Sequence, residues 1–151
     1  MITLDDLRGT WRLSREIDDL RAGLTGRLTG EAGWRADGMG LIQEERGLLR
    51  LGDAPPMQAE RRYLWRADGV ALAVFFEDGR PFHRLAPGRL CDRHECPPDT
   101  YDVTYRLHGS GAFSTEWRVT GPRKDLVIRS DYTRVSGSDR ATTKREGGLA
   151  G

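Results

Sequence analysis

The chain is poor in cysteine, with two among 151 residues, and as poor in lysine, with only Lys124 and Lys144. Two thiols make no disulfide framework, so Cys91 and Cys96 read as reduced thiols of a cytoplasmic protein. The opening Met1-Ile2-Thr3-Leu4-Asp5-Asp6 lacks the basic start and apolar run of a signal peptide. No stretch approaches the ~18 apolar residues of a membrane span, so no membrane partner is expected. An excess of one charge is missing too. With 24 basic and 23 acidic residues the formal net charge is +1, which offers no broad field for nucleic acid. Also absent are G-x-S-x-G, H-E-x-x-H and P-loop patterns, and Gly38-Met39-Gly40 is too short for a nucleotide fingerprint. There is no internal repeat, no long run of helical period, and no signal for oligomeric state.

What is abundant is arginine. Subtracting the two lysines from 24 basic residues leaves 22 arginines. One reading is GC-rich codon usage. The other is that some inward arginines bind an anion, since a guanidinium tolerates burial and forks onto carboxylate or phosphate. Both readings hold together.

Short runs of period-2 alternation, punctuated by Gly, Pro and Asp, make up the rest. After a helical turn at Asp5 to Arg8, they fall at Thr10 to Asp18, Leu28 to Arg35, and Gly38 to Arg46. The third turns at Gly47 into Leu48 to Leu51. A loop at residues 52–56 precedes Met57 to Arg66 and Val70 to Glu77; Asp78-Gly79 is a hairpin turn before Arg80 to Leu85. Ala86 to Pro98 reads as irregular, and Asp99 to Leu107, Ala112 to Thr120 and Lys124 to Arg134 close the series. About nine or ten sequential strands predict an all-β, up-and-down antiparallel barrel over residues 1–135, because closure removes exposed edges. Residues 136–151 are Ser, Gly, Thr and charge, which predicts a disordered tail.

Gly9-Thr10-Trp11 opens the first strand, and this G-x-W placement resembles the lipocalin and calycin superfamily. The resemblance implies that Trp11 plugs one barrel end and that a basic residue of the last strand packs across it. Arg134 matches that role better than Arg129. A closer resemblance runs from residue 9 to Arg134. It rests on Gly9-Thr10-Trp11-Arg12-Leu13-Ser14-Arg15-Glu16-Ile17, Asp78-Gly79-Arg80-Pro81-Phe82-His83, His94-Glu95-Cys96-Pro97-Pro98-Asp99-Thr100-Tyr101, and residues 116–125. It is to small bacterial, lipocalin-like domains of unknown function, and it implies a fold without catalytic residues to transfer.

If Trp11 faces inward, so does Arg15, and parity on later strands turns Tyr63, Trp65, Tyr101, Tyr105, Trp117 and Tyr132 inward as well. That lining suits a small aromatic or anionic metabolite, with Arg15 and Arg84 as charge anchors and His83 on the wall. The same rings could instead fill the barrel. An enzyme of isomerase or hydrolase type is the rival reading, using His94, Cys96 and Asp99 at the barrel mouth. Cys91, His94 and Cys96 also have C-x2-H-x-C spacing. Zinc wants four such ligands or three plus water, and only His83 or Asp99 could complete the set, so no metal is expected. A haem would need His83 or His94 facing an apolar, haem-sized space; the lining is too crowded, and no cofactor is expected.

Overall fold

The structure, a computed structural model, describes residues 2–135. The tail expected from residue 136 lies outside the described residues. A single helical turn, α1 (Leu4–Leu7), is followed by β1 (Gly9–Asp19), β2 (Leu24–Ala36), β3 (Leu41–Leu51), β4 (Met57–Asp68) and β5 (Ala71–Phe76). Then come β6 (Pro81–Leu85), β7 (Cys91–Cys96), β8 (Asp99–Leu107), β9 (Ala112–Thr120) and β10 (Asp125–Arg134). The strands form one sheet in the order β6-β5-β4-β3-β2-β1-β10-β9-β8-β7, all antiparallel. The fold is the expected all-β up-and-down barrel, nearly closed, with a helical turn at its start.

Two stretches differ from the sequence expectation. Gly47 does not turn the chain; β3 runs unbroken through it. Gly47 faces Gly30 across the ladder, and a Cβ on Gly30 would lie 2.0 Å from the Arg46 carbonyl oxygen. Glycine here permits two backbones to approach closely, one of the uses of glycine inside a strand. The second is β7, placed in a stretch read as irregular. Cys-Asp-Arg-His-Glu-Cys has no apolar face and so no period-2 signal; it is extended because it pairs residue by residue with β8.

The barrel is left open along one line, since β6 and β7 are the two edges of the sheet and no ladder joins them. A side chain stands in. The Arg84 backbone N–H donates to Asp92 Oδ2 at 2.7 Å. Inside, the Phe82 and His94 rings meet edge to face across the same line, with centroids 5.3 Å apart.

The other end of the cylinder is plugged. Thr3 and Asp6 form a reciprocal capping box that starts α1. Leu7 is buried beneath it, and its carbonyl accepts a hydrogen bond from Trp11 Nε1 at 2.8 Å. Arg134 lies over the Trp11 ring at 4.3 Å and donates to the Asp6 and Arg8 carbonyls, thereby capping the turn from the last strand. Above this plug Trp34, Trp65, Phe113 and Tyr132 pack edge to face and stacked into the core. Among the described residues, no helix is long and apolar enough to cross a membrane.

Candidate functional site

A polar belt crosses the barrel above the aromatic core. Arg15, Ser130, Thr115 and Tyr105 stand directly opposite one another on β1, β10, β9 and β8, so one layer of the interior carries four polar residues in a row. Arg15 Nε donates to Ser130 Oγ at 2.7 Å, and Nη2 donates to Glu45 Oε1 at 2.9 Å and to the Tyr132 hydroxyl at 3.2 Å. The other oxygen of Glu45 accepts from Gln43 Nε2 at 2.8 Å and from the Tyr132 hydroxyl. Gln43 in turn accepts from Trp65 Nε1 at 2.7 Å. Burial pushes the Glu45 carboxyl upward, but the Arg15 and Arg61 charges and the Tyr132 hydrogen bond outweigh it, so the group stays below the usual carboxylate range. Burial likewise works against the Arg15 charge, and Tyr132 and Glu45 more than offset it. The Tyr132 hydroxyl is pushed up, by burial first and the Glu45 charge second, and remains protonated.

The seam side of the belt is neutral. The ladder between β5 and β6 pairs Val74 with His83 and Phe75 with Pro81, so Phe82 is an extra residue on β6. That bulge turns Phe82 and His83, neighbours in sequence, both into the interior. His83 Nε2 lies 3.0 Å from the Tyr105 hydroxyl. Burial, opposed by Asp92, pushes the His83 imidazole down to about 3 from its ordinary 6.5. The unfolded chain therefore takes up this proton more readily than the folded one. Folding stability is expected to be full above pH 6.5 and to fall towards pH 3, His83 contributing up to ~1.4 kcal/mol per pH unit. Urea midpoints measured across that window should lose this part of their slope in His83→Phe. An unchanged slope would mean that His83 is solvated in the folded state.

The interior is otherwise filled. Around Arg15, Glu45, His83, Thr115, Trp117 and Tyr132 the remaining cavity is about 20 Å³, which accommodates about one water molecule. A second cleft of about 90 Å³ adjoins it between β1 and β4, lined by Arg15, Ile17, Leu28, Glu45, Leu49 and Arg61. The rings open to solvent gather at the mouth above the belt. Tyr63, Phe76, Tyr101 and Trp117 are half-buried there. Phe82 stacks on Phe76 at 4.3 Å and on Trp117 at 4.9 Å between centroids, with Tyr63 at 5.5 Å. Arg61 lines both spaces, 3.9 Å from Glu45 and 3.4 Å from the Tyr63 hydroxyl. Its charge is the one the belt leaves over, because Arg15 and Glu45 neutralise each other.

Arg15, Tyr63, Trp65, His83, Tyr101, Tyr105, Trp117 and Tyr132 all lie on the interior side, though in different roles. Trp65, Tyr105 and Tyr132 are core, and Arg15 is held by Glu45. Arg84 is not in the interior. It is exposed, and its Nε pairs with Asp68 at 3.1 Å on the outer surface. The bulge explains this, since it shifts the parity of β6 so that His83 and Leu85 are buried and Arg84 is not. Cys96 stands opposite Asp99 across the β7–β8 ladder, with His94 two residues away on β7, and the three have different surroundings. His94 packs against Phe76, Phe82 and Tyr101, Cys96 is exposed, and Asp99 pairs with Lys124 at 3.0 Å. Cys91 and Cys96 are free, at the two ends of β7. Among the described residues, no group of three His, Cys, Asp or Glu is placed to hold a metal ion. Gln43, Glu45, Arg61 and Phe82 are the residues of the site that the sequence reading passed over; Thr115 shares the inward parity of Trp117. For Glu45 parity offered no lead: Leu41-Gln43-Glu45 and Ile42-Glu44-Arg46 each hold one apolar residue and two polar ones.

The profile of a family of unknown function, DUF6314, matches residues 7–134. No curated protein matches the chain. Among solved structures, an S-type phycobiliprotein lyase from Guillardia theta is similar over 89% of this chain and 91% of its own, with TM-score 0.57 and 7% identity. At that identity the likeness shows the fold alone. A designed fluorescence-activating β-barrel aligns over 89% of this chain and 100% of its own, with TM-score 0.44 and 13% identity. A redesigned barrel bound to DFHBI aligns over 87% and 97%, with TM-score 0.43 and 11% identity.

Proposed function

We propose, from the premise that the chain belongs to the DUF6314 family, that its barrel binds a small aromatic or anionic metabolite at the open mouth. The observation that carries the reading is Arg61. Its guanidinium pairs only loosely with Glu45, at 3.9 Å against 2.9 Å for Arg15, and is set beside the half-buried rings of Tyr63 and Trp117. Planar rings supply stacking area, and a leftover cation supplies orientation, which is the usual division of labour in a small-ligand site. The core below is too full to enclose a ligand of ordinary size, since such pockets measure roughly 300–1,000 Å³. The ligand therefore rests on the mouth and does not sit deep in the cylinder. Arg15 supports the site from below by holding Glu45, and Arg61 is the anchor.

Benzoate is a direct probe, being one ring and one carboxylate. Its binding should quench tryptophan fluorescence, and Trp117→Phe should remove most of that change, because Trp11, Trp34 and Trp65 are buried. Arg61→Met should weaken binding about tenfold, the worth of one charge-assisted contact. Benzoate that fails to bind, or binds Arg61→Met equally well, sinks the reading.

A further inference from the structure

We infer that the floor of the mouth is a subsite for a carbonyl oxygen carried on the ligand's aromatic body, with His83 and Thr115 as its two donors. This rests on the reading of the mouth as a ligand site and names a group the ligand must carry. Two side-chain atoms are the basis. His83 Nδ1 and Thr115 Oγ1 are buried and have no hydrogen-bond partner. Their residues are 6% and 5% exposed and line the same small cavity.

The polarity of the missing bond is tied to Tyr105. Its hydroxyl is buried, and its one hydrogen-bond contact is with His83 Nε2 at 3.0 Å. We assign the Tyr105 O–H as the donor to Nε2, which puts the ring proton of the neutral imidazole on Nδ1; the reverse assignment would leave the Tyr105 O–H as the orphan instead. The floor then presents an N–H without an acceptor and a hydroxyl free to donate. In the proposed subsite one oxygen acceptor answers both. Charge selects the kind of oxygen. Glu45 lines the same cavity, and Arg15 is already spent on it. A carboxylate oxygen would meet a like charge in a poorly solvated space, whereas a ketone, amide or lactam oxygen would not. Tyr63, Phe82 and Trp117 line that cavity as well, so an aromatic ring bearing the carbonyl meets rings where the oxygen meets donors. The resulting class is an aryl or otherwise conjugated carbonyl compound, whose anionic edge, where it has one, is left for Arg61.

Acetophenone and α-methylstyrene test this, since they differ by a carbonyl oxygen against a methylene of nearly the same shape. Ligand-observed NMR titration should show acetophenone binding about tenfold tighter, the equivalent of two modest hydrogen bonds. The nearly isosteric Thr115→Val should cut that preference by roughly threefold to fivefold while leaving α-methylstyrene unchanged. The His83 Nδ1–H resonance should shift with acetophenone and stay still with α-methylstyrene. Equal affinities for the two probes overturn the inference. So does a preference that survives Thr115→Val with the His83 resonance unmoved. Benzoate separates the two claims: benzoate binding without a carbonyl preference removes the floor subsite alone, and failure of benzoate removes the mouth reading.

Discussion

Arg15→Met is expected to lower the free energy of unfolding by about 3–5 kcal/mol, the usual cost of breaking a buried ion pair from one side. Arg15 is 4% exposed and gives Glu45, Ser130 and Tyr132 a donor each. Without it, Glu45 keeps Gln43 and Tyr132 but loses its nearest cation, leaving Arg61 at 3.9 Å. A carboxylate so placed would rise in pKa and take up a proton. The loss should therefore be largest near pH 7 and shrink as the pH falls through the variant's new carboxyl pKa. In the wild type the sign runs the other way round: a carboxyl held below its ordinary range adds stability above the unfolded pKa, and this is lost as acid protonates it. Arg15→Met combined with Glu45→Leu should recover much of the loss, because the desolvated charges leave together. Urea unfolding of the four proteins in the cycle measures this. Additive effects of the two substitutions would show that the pair is not coupled.

Trp11→Ala should be as severe, at about 3–5 kcal/mol for a large buried ring. More than volume is involved. Trp11 is 2% exposed, touches Trp34 and Phe113 edge to face, and holds the Leu7 carbonyl. It is also the surface on which Arg134 rests. A cation over a desolvated indole adds up to ~2 kcal/mol, so Arg134→Met should cost a smaller part of the same total. The two changes should be less than additive, because both undo one plug. Once the ring is gone α1 loses its tether, and amide exchange at Leu7 and Arg8 should rise before the strands open. Slow exchange at those amides in Trp11→Ala would mean that α1 is held by something other than the indole and the arginine above it.

Legibility varied by element. Strands with one apolar face were readable: β1, with Trp11, Leu13 and Arg15 buried, follows the period-2 rule from end to end of that face. So were β8 and β9, whose inward residues Tyr105, Phe113 and Thr115 fall at the expected parity. β7 was not readable, since pairing alone makes it a strand. The bulge in β6 was not readable either, and it alone decides that Phe82 joins the mouth and that Arg84 points to solvent. Glu45 was hidden by a strand with no preferred face, and its pairing with Arg15 by a gap of 30 residues in sequence.

The order of letters by itself determined an all-β barrel, because alternation and turn chemistry are local and each strand carries its own; the indole at its closed end was what the G-x-W resemblance implied. Only the tertiary structure decided which arginine is spent and which is left over. Arg15 and Arg61 carry the same charge, and what distinguishes them is whether a carboxylate from another strand lies within about 3 Å or about 4 Å. The same holds for the orphaned His83 and Thr115, since a missing partner is a property of packing and of no single stretch of chain.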